Sequence, residues 1–279
     1  MARVSIRDIA DMKARGEKVP MITVYDYTSA QLADSAGIPM VLVGDSLGMV
    51  VLGYDSTIPV TMDDMLHHAK AVARGAKRYM IMVNLPFMSY QLDDQQALAN
   101  AARLVQEGGA HSVKLEGGER STHTVARIVE TGIPVMGHIG LTPQSVHRLG
   151  GYRVQGRQRQ EAEQLIKGAH ALEEAGAFAL VLEVVPSPLA GLITRHLTIP
   201  TIGIGAWVEC DGQVQGLHDM LGMYTDFAPK HVKRFADLVG KIRFAFEQYS
   251  LEVKGSRFPA GAHSFPMDES LLESLEHPE

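Results

Sequence analysis

Short runs of Val, Ile, Leu and Met recur along the chain, separated by stretches in which apolar residues return at helical spacing. The runs fall at 21–25, 40–44, 79–84, 112–116, 134–138, 179–183 and 201–205. They lack polar alternation, as expected of strands buried on both faces in a parallel sheet. Helices are predicted between them at 28–36, 62–74, 93–107, 121–131, 160–175 and 189–196. Thr61 and Asp93 stand where N-caps belong. Gly37, Gly75, Gly109, Gly132 and Gly176 follow five of these helices, where a left-handed residue ends the last turn.

A leading helix over 5–15, capped by Ser5, carries Ile6, Ile9, Ala10 and Met12 on its apolar side. With the rest of 1–19 it forms an extension that serves as a barrel plug or as an interface. An eighth unit must come from 212–248, with a helix over 229–247 and its weak point, the strand, near Val214-Gln215-Gly216-Leu217. This alternation predicts a single domain over 1–279, a (β/α)8 barrel of the TIM type, with an open doubly wound sheet as the competitor. No Gly-x-Gly-x-x-Gly opens a helix after the first strand, which counts against a Rossmann arrangement. The polar tail over 255–279, with prolines at 259, 266 and 278, reads as a partly ordered lid or extension.

Composition narrows the partners. The chain has 279 residues, 46% of them hydrophobic, enough for a large core, and a formal charge of -6 with no basic stripe to neutralise a nucleic-acid backbone. Arg153, Arg157 and Arg159 form the densest basic group, in a glycine-bearing loop. One cysteine, Cys210, excludes an internal disulfide and a cysteine-rich metal site and suits a reducing cytoplasm. No run approaches the roughly 18 apolar residues of a membrane span, and Met1-Ala2-Arg3-Val4-Ser5 lacks the apolar core of a signal peptide.

Five of the runs end on residues capable of chemistry: Asp45, Asn84, Lys114 with Glu116, His138, and Glu183. In a parallel barrel the active site is built at the C-terminal strand ends, so the pattern points to an enzyme. Asp45, Glu116 and Glu183 would end strands two, four and six and converge. Carboxylates gathered in a dry pocket repel unless a cation joins them, and hard oxygens without a Cys or His cluster favour Mg2+. The plainer alternative is that each caps a helix or pairs with an arginine. Lys114 shares a strand face with Glu116 and suits a substrate oxyanion, or else a buried ion pair with Glu116 or Asp45. His138 gains weight from its position, although the chain has twelve histidines. Ser46 offers a hydroxyl and an N–H to an anion, or is an ordinary cap. The loop Gly150-Gly151-Tyr152-Arg153-Val154-Gln155-Gly156-Arg157 has glycines at both ends, as a mobile flap or a simple exposed loop.

Four strings carry a closer resemblance: Val43-Gly44-Asp45-Ser46-Leu47-Gly48-Met49-Val50, Val113-Lys114-Leu115-Glu116-Gly117-Gly118, Gly137-His138-Ile139-Gly140-Leu141-Thr142-Pro143-Gln144, and Gly150-Gly151-Tyr152-Arg153-Val154-Gln155-Gly156. The chain resembles the ketopantoate hydroxymethyltransferase family, of the phosphoenolpyruvate/isocitrate lyase barrel type, from about Met21 to the His263-Ser264-Phe265 segment. The resemblance implies transfer of a one-carbon unit from 5,10-methylenetetrahydrofolate to 3-methyl-2-oxobutanoate, giving 2-dehydropantoate. It further implies Asp45, Asn84 and Glu116 at a Mg2+ ion, and Asp45, Ser46, Asn84, Lys114 and His138 around the keto acid. Glu183 resembles the base that takes the C3 proton. A decameric homo-oligomer is expected from the same resemblance.

Two positions depart from that pattern. The family usually has Asp where this chain has Asn84, and Gly where it has Trp207. An amide oxygen can ligate Mg2+ without bringing charge; a ring at 207 would narrow the pocket or face a neighbouring subunit. These departures keep two alternatives in view, a carbon–carbon lyase on a related 2-oxo acid and a catalytically weakened paralogue.

Overall fold

In the computed structural model, which describes residues 3–75, 77–226 and 229–276, eight parallel strands close into a barrel in chain order. The first half runs α1 (Ile6–Ala14), β1 (Val19–Thr23), α2 (Tyr27–Ser35), β2 (Met40–Val43), α3 (Leu47–Val50), α4 (Met62–Gly75), β3 (Met80–Asn84), α5 (Asp94–Gln106) and β4 (Ser112–Glu116). The second continues α6 (Thr122–Glu130), β5 (Val135–Gly140), α7 (Val146–Leu149), α8 (Arg159–Glu174), β6 (Ala179–Glu183), α9 (Ser187–His196), β7 (Thr201–Ile204) and β8 (Gly212–Gln215). After it come α10 (Leu217–Met220), α11 (Leu238–Lys254) and α12 (Glu269–Glu276).

Strand parity builds two cores and places the site. Outward residues such as Val41, Val43, Ile81, Val83, Val113, Leu115, Leu180 and Leu182 pack beneath the helices. Inward residues, among them Met21, Met40, Met80, Met82, Met136 and Val181, fill the barrel. Because side chains alternate along a strand, the inward set continues to Asn84 from Met80 and Met82, to His138 from Met136, and to Glu183 from Ala179 and Val181. The interior is thus apolar below and polar at the C-terminal rim. The leading helix is a plug: Ile9 and Met12 join the interior cluster, and Lys13 Nζ donates to Ile199 O and to Asp211, each at 2.9 Å. Ser5 caps it through a reciprocal pair with Asp8.

The inner strands lie within two residues of the sequence-based limits, and the differences have local causes. The first strand begins and ends two residues before the expected 21–25, leaving Tyr25 beyond the pleat, where its hydroxyl reaches Ser46. The eighth strand is Gly212–Gln215, paired with β1 and β7, and residues 205–211 join it to β7 without a helix. The helix expected over 229–247 starts only at Leu238. Upstream of it, tertiary bonds capture the backbone: Lys233 N–H donates to Gln215 and Phe235 N–H to Met220 O.

Gly37, Gly109, Gly132 and Gly176 have the positive φ of a helix stop. Gly75 does not; it is the last residue of α4, and a Cβ there would stand 2.7 Å from both Ala30 Cβ and Tyr27 O, so its role is close approach of α4 to α2. The tail residues 255–276 whose exposure is described are all exposed in the single chain. Among the described residues no helix is long and apolar enough to cross a membrane.

Candidate active site

Asp45 and Ser46 lie in the turn after β2, and Asn84, Lys114, Glu116, His138 and Glu183 on the rims of β3 to β6. Asp45, Asn84, Lys114, Glu116 and His138 are each no more than 5% exposed. Ser46 and Glu183 are half-buried and line a cavity of about 360 Å³ with Met49, Tyr152, Val154 and His231. The flap loop therefore walls the cavity through Tyr152 and Val154, and Gly150, Gly151 and Gly156 take the positive φ values that its path requires.

One half of the site is a carboxylate pair held by amides. Asp45 Oδ1 accepts from Asn84 Nδ2 at 2.7 Å, and Asp45 Oδ2 from Gln144 Nε2 at 2.8 Å. Glu116 Oε2 accepts from the Gln144 backbone N–H at 3.1 Å. Among the described residues no arginine pairs with either acid and neither caps a helix, which removes the plainer alternative for both. Burial, then the Asp45 charge, push Glu116 well above the usual carboxylate range, while Lys114 opposes this.

The other half is a relay of nitrogen and oxygen. Lys114 Nζ lies 3.1 Å from His138 Nδ1, and among the described residues Lys114 makes no ion pair, contrary to the buried-pair alternative. An ammonium has only protons to offer, so Nδ1 accepts and the imidazole proton sits on Nε2. Burial and the Lys114 charge hold His138 below the ordinary imidazole range, consistent with a neutral ring. His138 Nε2 is 3.1 Å from Glu183 Oε2 but out of line for a hydrogen bond. Glu183 keeps 16% of its side chain exposed and has room to turn.

Among the described residues no three His, Cys, Asp or Glu side chains converge to hold a metal. The expectation that Asp45, Glu116 and Glu183 gather round one cation is corrected here, because Glu183 faces His138 instead. What remains is an all-oxygen set: two carboxylates and the Asn84 amide. Asn84 Oδ1 and Glu116 Oε1 are buried without a hydrogen-bond partner among the described residues. Such hard, unpaired oxygens fit Mg2+, which takes one or two carboxylates and completes its shell with water and substrate oxygens.

Gln144, Tyr90 and Tyr25 also belong to the site, and the sequence reading assigned them no role. Tyr90 is buried, donates to Gln144 Oε1 at 2.8 Å and accepts from Glu116 N–H at 3.1 Å. Tyr25 pairs its hydroxyl with Ser46 Oγ at 2.9 Å, and burial pushes its phenol up to about 12. No local pattern marks these three, which reach the site only through the barrel's closure.

Trp207 does not line the cavity. Its φ of 109° is one that glycine adopts freely and residues with a side chain rarely do, and the residue is 60% exposed. Trp207→Gly is expected to raise unfolding free energy by about 1 kcal/mol by releasing that strain. Denaturant melts of the two proteins check this, and a less stable variant would mean that the ring makes contacts that outweigh the strain.

The chain matches the family model described as ketopantoate hydroxymethyltransferase over residues 3–261. It is 58% identical over 273 residues to the 3-methyl-2-oxobutanoate hydroxymethyltransferase of Dehalococcoides mccartyi (strain CBDB1), covering 98% of each chain. The enzyme of the same name from Carboxydothermus hydrogenoformans is 57% identical over 275 residues, covering 99% of this chain and all of that one. Among solved structures, phosphonopyruvate hydrolase in complex with oxalate and Mg2+ superposes with a TM-score of 0.61 at 10% identity, over 99% of this chain and 95% of that one. Oxaloacetate acetylhydrolase with its product oxalate gives 0.59 at 12% identity, over 99% and 96%. These two likenesses speak to the barrel fold alone.

Proposed function

The chain belongs to the ketopantoate hydroxymethyltransferase family, and from that premise we propose that it transfers a hydroxymethyl group from 5,10-methylenetetrahydrofolate to 3-methyl-2-oxobutanoate in pantothenate synthesis. The observation that carries this reading is the division of the rim: buried, unpaired oxygens on Asn84 and Glu116 on one side, and a part-exposed carboxylate, Glu183, on the other.

Asp45, Asn84 and Glu116 would hold the Mg2+. Bound there, the ion supplies Lewis-acid stabilisation of negative charge on the substrate's oxygens. The Lys114 ammonium offers its remaining protons to the keto acid, and the Ser46 hydroxyl, oriented by Tyr25, binds the same substrate. Glu183 takes the C3 proton, and His138, with its proton on Nε2, steadies the acid that forms. The C3 carbon so activated bonds to the one-carbon unit of the folate; water supplies the hydroxyl and tetrahydrofolate leaves. Burial of Asp45, Lys114, Glu116 and His138 excludes bulk water from the polar rim and strengthens each of these interactions.

The protein acts in the cytoplasm as a homo-oligomer, a decamer by the family resemblance. Supporting this, α11 has no buried residue in the single chain, and Phe244, Phe246 and Tyr249 are each at least 60% exposed.

The test is formation of 2-dehydropantoate from the two substrates while Mg2+ is titrated, with wild type and Asn84→Asp side by side. Wild type is expected to turn over only with metal. The variant adds a charge beside Asp45, so its Mg2+ dissociation constant is expected to fall about tenfold, or ~1.4 kcal/mol. No product from wild type at any Mg2+ concentration would sink the proposal. Equal metal affinity in both proteins would remove Asn84 from the ion's ligands.

A further inference from the structure

Gln144 makes contact with both carboxylates that would face the metal. It lies in the 3-10 turn Pro143–Ser145 after β5 and is 4% exposed. Its side-chain Nε2 donates to Asp45 Oδ2 at 2.8 Å and to Leu85 O at 2.9 Å. Its Oε1 accepts from Tyr90 OH at 2.8 Å and from Gln91 Nε2 at 3.2 Å. Its backbone N–H donates to Glu116 Oε2 at 3.1 Å. Both amide protons and both oxygen lone pairs are therefore used, and the amide has one permitted orientation, since Asp45 and Leu85 offer only acceptors on one side and Gln91 offers a donor on the other.

The result is selective. One oxygen of each acid is tethered by Gln144, whereas Glu116 Oε1 has no hydrogen-bond partner among the described residues. Two buried like charges would otherwise swing apart or share a proton. Tyr90 extends the hold, because it meets Gln144 Oε1 and the Glu116 backbone N–H with one hydroxyl.

We infer that Gln144 is a positioning residue, locked by Tyr90, that sets the Asp45 and Glu116 carboxylates for a divalent cation and leaves the untethered oxygen of Glu116 free to bind it. This inference rests on the Mg2+-dependent reading above. A neutral amide suits the task better than a cation would: an arginine would neutralise the acids that the metal needs, and a carboxylate would add to their repulsion.

The test is calorimetric Mg2+ binding to the full-length protein without substrate, together with kcat, KM and thermal melts, for wild type, Gln144→Met, Tyr90→Phe and the double variant. Gln144→Met keeps volume and loses the side-chain bonds. It is expected to melt cooperatively, to bind Mg2+ 10- to 100-fold more weakly, on the scale typical of groups that orient metal ligands, and to regain part of its kcat at high Mg2+. Tyr90→Phe should weaken binding less, and the double variant should lose less than the two single changes summed, since the Tyr90 hydroxyl bonds Gln144 as well as the Glu116 N–H. Wild-type Mg2+ affinity in a folded Gln144→Met would overturn the inference, as would effects of the two changes that simply add. Should Gln144→Met fail to fold, unchanged Mg2+ affinity in Tyr90→Phe overturns it. Wild type that binds Mg2+ in this Gln144-dependent way yet makes no product would leave the positioning role standing and defeat the proposed reaction instead.

Discussion

Glu183→Gln is expected to lower kcat about 10³-fold, within the range for loss of a general base, while substrate and Mg2+ binding stay near wild type. The amide keeps the shape of the acid and retains an oxygen for His138 Nε2, so only proton affinity is removed. The backbone under the residue is firm: Leu141 N–H donates to Glu183 O at 2.8 Å, and Gly140, at φ 94°, lets that carbonyl approach where a Cβ would stand 2.2 Å from it. A rigid base and a part-exposed side chain let the carboxylate swing to the substrate without disturbing the barrel. The direct readout is exchange of the C3 proton of 3-methyl-2-oxobutanoate in D2O without folate. Exchange by the variant at the wild-type rate would show that another group is the base.

Lys114→Met should cost 10²- to 10³-fold in kcat/KM, on the order of losing a preorganised donor to a developing oxyanion. The stability of the unliganded protein should hold or rise, by about 1 kcal/mol, because a buried cation that makes no ion pair among the described residues is replaced by an apolar side chain of similar length. The two outcomes together distinguish a lysine kept for substrate from one kept for structure. The charge also acts on its neighbours: it is one of the causes holding His138 below the ordinary imidazole range and, with the Gln144 backbone N–H, it opposes the rise of Glu116. Without it, His138 becomes easier to protonate, and the acid side of the pH–rate profile should move to higher pH. Wild-type kcat/KM with lowered stability would make Lys114 a structural residue.

Legibility in the sequence followed burial. Strands two to seven were readable because each is buried on both faces, so composition alone marks them. The eighth is short and partly polar, Gly212-Gln213-Val214-Gln215, and owes its place to pairing with β1 and β7 on either side. The segment before Leu238 reads as helix by composition, but Met220 O and Gln215 claim its N–H groups. Gly75 has the look of a helix stop and is instead a contact between helices. In each case a partner distant in the chain outweighed a local preference.

The sequence by itself determined the barrel and the residue types at its rim, because strand period and strand-end position follow from local order: once Met80 and Met82 face inward, Asn84 must too, and the same holds for Lys114 with Glu116. Only the tertiary structure decided who meets whom. It turned Glu183 toward His138, gave Lys114 an imidazole rather than a carboxylate, and brought Gln144, 99 residues from Asp45, between the two acids. Such pairings depend on closure of the sheet, which fixes distances between side chains whose separation along the chain carries no record of them.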